Sequence, residues 1–118
     1  MKNQSSYVAF IVEQFSPLGE ITAKSMFGGH CLYCDGTVFA LIANNILYLK
    51  ADSVNQPAFE ERGLKPFHPF DRPDAAMRYF TAPVDILEDP DAMKLWAGGA
   101  VEAGRRSNRT RKRKPMRR

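Results

Sequence analysis

Apolar residues recur at helical spacing near both ends of the chain and at strand spacing between them. Tyr7, Phe10, Ile11, Phe15 and Leu18 lie three or four apart, which predicts an amphipathic helix from Ser5 to about Ser16 with Ser5 or Ser6 as its N-cap. Pro17 and Gly19 end it. Glu20 to Phe27 reads as a strand running into the bend that Gly28 and Gly29 permit. Three short apolar runs follow, His30 to Cys34, Thr37 to Ile42 and Ile46 to Lys50, broken by Asp35-Gly36 and by Ala43-Asn44-Asn45. Both breaks suit tight hairpins, because the central residues of a type I′ turn need positive φ and Gly, Asn and Asp tolerate it best. The middle run, Val38-Phe39-Ala40-Leu41-Ile42, is apolar at every position and predicts a central strand covered on both faces.

The second half is more broken. Asp52 or Ser53 can cap a short helix over Asn55 to Arg62, with Pro57 in its first turn, Phe59 inward and Gly63 as its stop. Leu64 to Pro73 carries three prolines and predicts an ordered but irregular loop whose aromatics pack on the sheet. Met77 to Ala82 reads as a last strand ended by Pro83, and Val84 to Glu88 as a single helical turn. Asp89-Pro90-Asp91 then starts a C-terminal helix in which Met93, Trp96, Ala97, Ala100, Val101 and Gly104 share a face, with Gly98-Gly99 as a weak middle. The fold class expected is α+β: two layers, an antiparallel sheet of about five strands packed with an N-terminal helix, a C-terminal helix and one short helix.

Charge changes this picture at the C-terminus. The 118 residues have a formal net charge of +4, but Arg105 to Arg118 contains nine of the seventeen Lys and Arg and none of the thirteen acids. Residues 1–104 therefore carry a formal −5 and the remainder +9. This divides the chain into a folded domain, 1–104, and a basic segment, 105–118, expected to be mobile when free. The cations Arg105, Arg106, Arg109, Arg111, Lys112, Arg113, Lys114, Arg117 and Arg118 predict sequence-independent binding to the phosphates of DNA or RNA. No aromatic lies among them, so stacking on bases is not offered by this segment.

No stretch of about 18 apolar residues and no signal-like N-terminus is present, and the two cysteines are too few for a disulfide framework. A cytoplasmic protein is expected. Cys31-Leu32-Tyr33-Cys34 has the spacing of a zinc or redox half-site, but residues three apart on a strand point to opposite faces, so two free thiols are the simpler reading. His30, His68, Glu60, Glu61, Asp71 and Asp74 show no spacing that selects a catalytic set, and Gly28-Gly29 leads into no helix that would cradle a phosphate. Neither a cofactor nor a metal is called for, and the chain is expected not to be an enzyme. Phe67, Phe70, Tyr79, Phe80 and Trp96 are expected to pack in the core.

The block Met26-Phe27-Gly28-Gly29, then Leu32-Tyr33, Asp35-Gly36, Phe39-Ala40-Leu41-Ile42 and Leu47-Tyr48-Leu49-Lys50 resembles the signature of the TfoX/Sxy N-terminal domain family. Pro17-Leu18-Gly19 before it, and Pro66-Phe67, Met77-Arg78-Tyr79-Phe80, Pro83 and Trp96 after it, extend the resemblance over about residues 5 to 103. The resemblance implies a two-layer α+β fold and gives Met26, Phe27, Gly28, Gly29, Asp35 and Gly36 the part of a structural motif. In full-length competence regulators of that family a second domain follows, and the protein helps activate transcription of DNA-uptake genes alongside a cyclic-AMP receptor regulator. This chain resembles a stand-alone member, and its Cys31 stands where the family usually has glycine. Two functions are compatible with these features. One is a non-catalytic regulatory or adaptor domain that engages a protein partner of the transcription machinery, with non-specific nucleic-acid binding through the basic segment. The alternative is a small ligand-binding protein or enzyme with a pocket beside the sheet. A homodimer paired through sheet edges is compatible with either.

Overall fold

The computed structural model describes residues 4–26, 28–68 and 77–113, without the side chains of 77 and 110–113. Helix α1 (Ser5–Gln14) leads through a 3-10 turn at Ser16–Leu18 into four consecutive antiparallel strands. These are β1 (Ile21–Met26), β2 (Gly29–Cys34), β3 (Thr37–Ala43) and β4 (Ile46–Lys50). Helix α2 (Gln56–Glu61), the two-residue strand β5 (Pro66–Phe67), strand β6 (Met77–Thr81), a 3-10 turn at Val84–Leu87 and helix α3 (Pro90–Arg113) complete the order. The sheet order is β1-β2-β3-β4-β6-β5.

The hairpin chemistry read from the sequence is present residue by residue. Asp35 and Gly36 have φ of 50° and 86°, and Asn44 and Asn45 have φ of 55° and 60°, as a type I′ turn requires at both central positions. These two turns fix the register in which Leu32 faces Ala40 and Ala40 faces Leu49. Consequently Leu32, Ala40, Ile42, Leu47, Leu49 and Phe80 all lie on one face.

That face carries the core. Ile11 and Phe15 from α1, Phe59 from α2 and Met93, Ala97, Ala100 and Val101 from α3 join it in a single buried cluster. The Phe15 and Phe39 rings lie 5.6 Å apart, Phe59 stacks on Phe80 at 5.3 Å, and the half-buried Trp96 meets Phe59 edge-on at 5.1 Å. Val8 turns inward on α1 while Phe10 is 45% exposed, so the inner stripe of that helix is shifted from the expected one.

Several expectations are corrected. Ser5 and Ser6 lie inside α1, whose N-cap is Gln4; no side chain caps the helix, and the Gln4 amide donates to Asn45 Oδ1 at 2.8 Å. Strand β3 is central and buried on both faces, but its residues do not alternate strictly between them. A bulge opposite Leu32 and Tyr33 separates the pairs Leu32–Ala40 and Tyr33–Val38, which lets Phe39 join the core beside Ala40. Leu41 points to the other face, where it is buried without a described helix over it. The proline-rich loop contains the edge strand β5, which makes the sheet six-stranded. Tyr79 and Phe67 pack on the sheet face opposite the helices; Phe70 lies outside the described residues.

The last helix crosses residues 104 and 105. Helix α3 runs unbroken through Gly98-Gly99 and on to Arg113, so Arg105 to Arg113 continue the domain's last helix. Charge segregation marked a change of composition, whereas the helix is set by the core it leans on. Gly104 is where the helix comes closest to the sheet: a Cβ there would strike the carbonyl oxygen of Val38 and come within 2.7 Å of Thr37 Cγ2. Gly98 faces open space.

Gly104→Ala is therefore expected to destabilise the fold by about 1–3 kcal/mol through overpacking against backbone. Gly98→Ala should stabilise it by up to about 1 kcal/mol through helix propensity. Urea unfolding of the two variants checks this, and the opposite ranking would mean that α3 does not approach β3 as described.

Candidate functional site

The basic C-terminal stretch is held to the domain by one charged clasp. Asp52 follows β4 and is fixed by its surroundings: its backbone N–H donates to Asn55 Oδ1 at 2.7 Å, and its own Oδ1 accepts the Val54 N–H at 3.0 Å. Asn55 in turn donates to the Lys50 carbonyl at 3.1 Å. Arg106 reaches this carboxylate from α3 with both arms of its guanidinium, Nε to Oδ2 at 2.6 Å and Nη2 to Oδ1 at 3.0 Å. A planar fork meeting a carboxylate in this way is the strongest ion-pair geometry available to side chains. The hydrogen bond from Arg106 holds the Asp52 carboxyl down at about 2, and the same contact pushes the Arg106 guanidinium up. Two residues further on, Asn108 Nδ2 lies 3.4 Å from Thr37 Oγ1.

The nine cations of the sequence-derived set thus separate into groups. Arg106 is engaged with Asp52, and Arg105 is paired with Glu102 at 2.8 Å on its own helix. Arg109 is exposed. The backbone of Arg111, Lys112 and Arg113 continues α3, and Lys114, Arg117 and Arg118 lie outside the described residues. Sequence reasoning assigned Asp52 to a helix cap and missed its partnership with Arg106. The two are 54 residues apart, and no local pattern signals such a pair.

The motif residues have structural parts. Gly28 has φ of 82°, and a Cβ on Gly29 would lie 2.7 Å from the Ile42 carbonyl oxygen. Asp35 closes the start of the sheet: its Oδ1 accepts the Glu20 N–H at 3.0 Å, while its own N–H donates to the Glu20 carbonyl at 2.8 Å. Gly36 completes the hairpin. Met26 is 41% exposed, with its Sδ 3.7 Å from Cys31 Sγ. Phe27 lies outside the described residues.

Cys31 and Cys34 face opposite sides of β2, as strand geometry requires. Cys34 is in the core, with its thiol 3.6 Å from the Leu18 carbonyl oxygen, whereas Cys31 pairs with Leu41 on the other face. Burial raises both thiol pKa values, and the Asp35 carboxylate raises that of Cys34 further, against a smaller lowering by Arg105. Among the described residues no group of three or more His, Cys, Asp and Glu is placed to hold a metal ion. Glu60 accepts a hydrogen bond from Gln56 at 2.9 Å, Glu61 and His68 are exposed, and Asp71 and Asp74 lie outside the described residues. No helix among the described residues is long and apolar enough to cross a membrane.

The clasp has a testable pH dependence. Asp52 titrates at about 2 in the fold against an ordinary 3.8, so its contribution is complete above about pH 4 and is lost as pH falls to about 2. The side chains of Asp52 and Arg106 are 25% and 32% exposed, and water screens part of the attraction, so Asp52→Asn is expected to cost about 1 kcal/mol at pH 7. Thermal unfolding of both proteins between pH 7 and pH 2 should show this gap closing below pH 4. A gap that persists at pH 2 would assign the effect of the substitution to something other than the ion pair.

The family model for the TfoX N-terminal domain matches residues 13–104. The match begins within α1, takes in every strand and stops at the glycine that abuts β3, so the arginines from Arg105 onward lie beyond it. A curated relative, described as an uncharacterized 12.7 kDa protein in the trpE 5′ region of Spirochaeta aurantia, is 30% identical over 89 residues, covering 75% of this chain and 72% of that protein. With its whole sheet, α2 and the motif glycines inside the matched span, the chain belongs to the TfoX N-terminal domain family.

Proposed function

We propose that this chain is a non-catalytic regulatory or adaptor domain, related to the control of transcription, whose C-terminal cations hold nucleic acid without reading its sequence. Membership of the TfoX N-terminal domain family supports the regulatory half. The observation that carries the nucleic-acid half is the continuation of α3 into an acid-free cationic run, anchored to the domain by Arg106 on Asp52.

The clasp matters because of the body's own charge. Residues 1–104 carry a formal −5, so a cationic segment lying against their acids would be neutralised internally. At about 1.5 Å rise per residue, the helix backbone runs on from Asn108 to Arg113, past the last described contact with the sheet. Arg105 and Arg106 are already paired, which leaves seven cations for phosphates. The folded body is the part that meets a protein partner of the transcription machinery in this reading, and the cations supply local concentration near nucleic acid.

If about six cations engage duplex DNA, log K should fall against log salt with a slope of about −5. The variant in which Arg109, Arg111, Lys112, Arg113, Lys114, Arg117 and Arg118 are all replaced by Gln keeps the Asp52 clasp and should lose this binding. Fluorescence anisotropy of a labelled duplex across a salt series measures both proteins. Equal binding by the variant, or no binding by the unaltered chain at low salt, would refute the nucleic-acid half.

A further inference from the structure

The sheet face turned away from the helices carries its own set of rings and charges. Register and alternation place Lys24 and Met26 from β1, Cys31 and Tyr33 from β2, Leu41 from β3, Tyr48 and Lys50 from β4, Tyr79 from β6 and Phe67 from β5 on it. None of the six strands contains an Asp or Glu; their charged residues are Lys24, Lys50 and Arg78. Arg78 bonds Gln56 of α2 on the helical side, so the formal charges of the outer face are Lys24 and Lys50. The eleven acids among the described residues all lie in helices, turns and loops.

Each lysine is set against an aromatic ring. Lys24 Nζ stands 5.7 Å from the centre of the Tyr33 ring and Lys50 Nζ 5.1 Å from that of Tyr79. Tyr48 and Phe67 pair at 4.9 Å. Tyr79 is buried, and that burial, with smaller effects from Cys31 and Tyr33, pushes its phenol up to about 12; it is a floor for this face rather than a contact. Tyr33, Tyr48 and Phe67 are half-buried and keep part of their rings in solvent.

We infer that this face binds single-stranded nucleic acid, with bases stacked on Tyr33, Tyr48 and Phe67 and a phosphate beside Lys24. The inference rests on the nucleic-acid reading above for its class of partner and on the sheet face for its site. The charge pattern selects a polyanion. Rings without acids among them select one whose subunits are themselves flat, and a paired duplex keeps its bases stacked on each other and unavailable. An acidic peptide would satisfy the lysines but has no counterpart for three ring surfaces. The cationic stretch from Arg105 onward contains no aromatic residue, so ring-dependent binding is not due to it.

The test uses oligothymidylate and the full chain. Binding is expected to weaken about fivefold or more for each of Tyr33→Ala and Phe67→Ala. Tyr33→Phe, which keeps the ring, should retain it, and Lys24→Gln should lower affinity and flatten the salt slope by about 1. Duplex binding through the helix should be unchanged in all four. The seven-fold Gln variant separates the two claims: ring-dependent binding to oligothymidylate that survives in it upholds the face even if duplex binding by the helix is never found. Oligothymidylate affinity that is the same in the alanine variants overturns the face and leaves the helix reading intact. Competition by polyglutamate without any binding of oligothymidylate would also overturn it in favour of an acidic protein, and ring-dependent self-association without oligonucleotide binding in favour of a second copy of this chain.

Discussion

The approach of α3 to β3 at Gly104 is the constraint on which most of the molecule depends. Without a side chain at that position the helix backbone reaches the Val38 carbonyl, and this contact fixes how Ala97, Ala100 and Val101 meet the core strands. It also sets the height at which Arg106 arrives over Asp52 and Asn108 over Thr37. One side of the sheet is thereby filled by three helices, and among the described residues no helix covers the other. The same geometry divides the charge: acids gather on helices and turns, and the strands carry none.

How much of this was legible in the sequence follows from how local each cause is. The Asp35-Gly36 and Asn44-Asn45 hairpins were readable because the need for positive φ is met by residue type within two positions. The strands between them followed from short apolar runs. The bulge at Phe39 was not readable, since an all-apolar run looks the same whether its residues alternate strictly between the faces or one is turned back into the core. Strand β5 was hidden by Pro66, whose missing N–H is harmless only because this strand is an edge.

The candidate site was legible in composition and not in geometry. Nine cations without an acid are visible to counting, but counting favoured a loose tail where the structure continues a helix to Arg113. Repulsion among like charges opposes that helix; packing of the preceding turns on β3 and the fork between Arg106 and Asp52 offset it. The outer face escaped notice for a related reason. Phe67 and Tyr79 were accounted for as core residues and Tyr33 and Tyr48 only as strand residues, and only the register shows that the four share the side away from the helices.

The account turns on an ordered cationic helix leaving a one-sided domain. The most direct measurement is the set of backbone chemical shifts, with amide hydrogen exchange, for Arg105 to Arg113 in the full chain at neutral pH. Helical 13Cα shifts continuing through Arg109 and toward Arg113, with slowed exchange around Arg106 and Asn108, are expected. Random-coil shifts beginning at Arg105 with unprotected amides would contradict the account, because the cations would then belong to a loose segment with no fixed place on the domain.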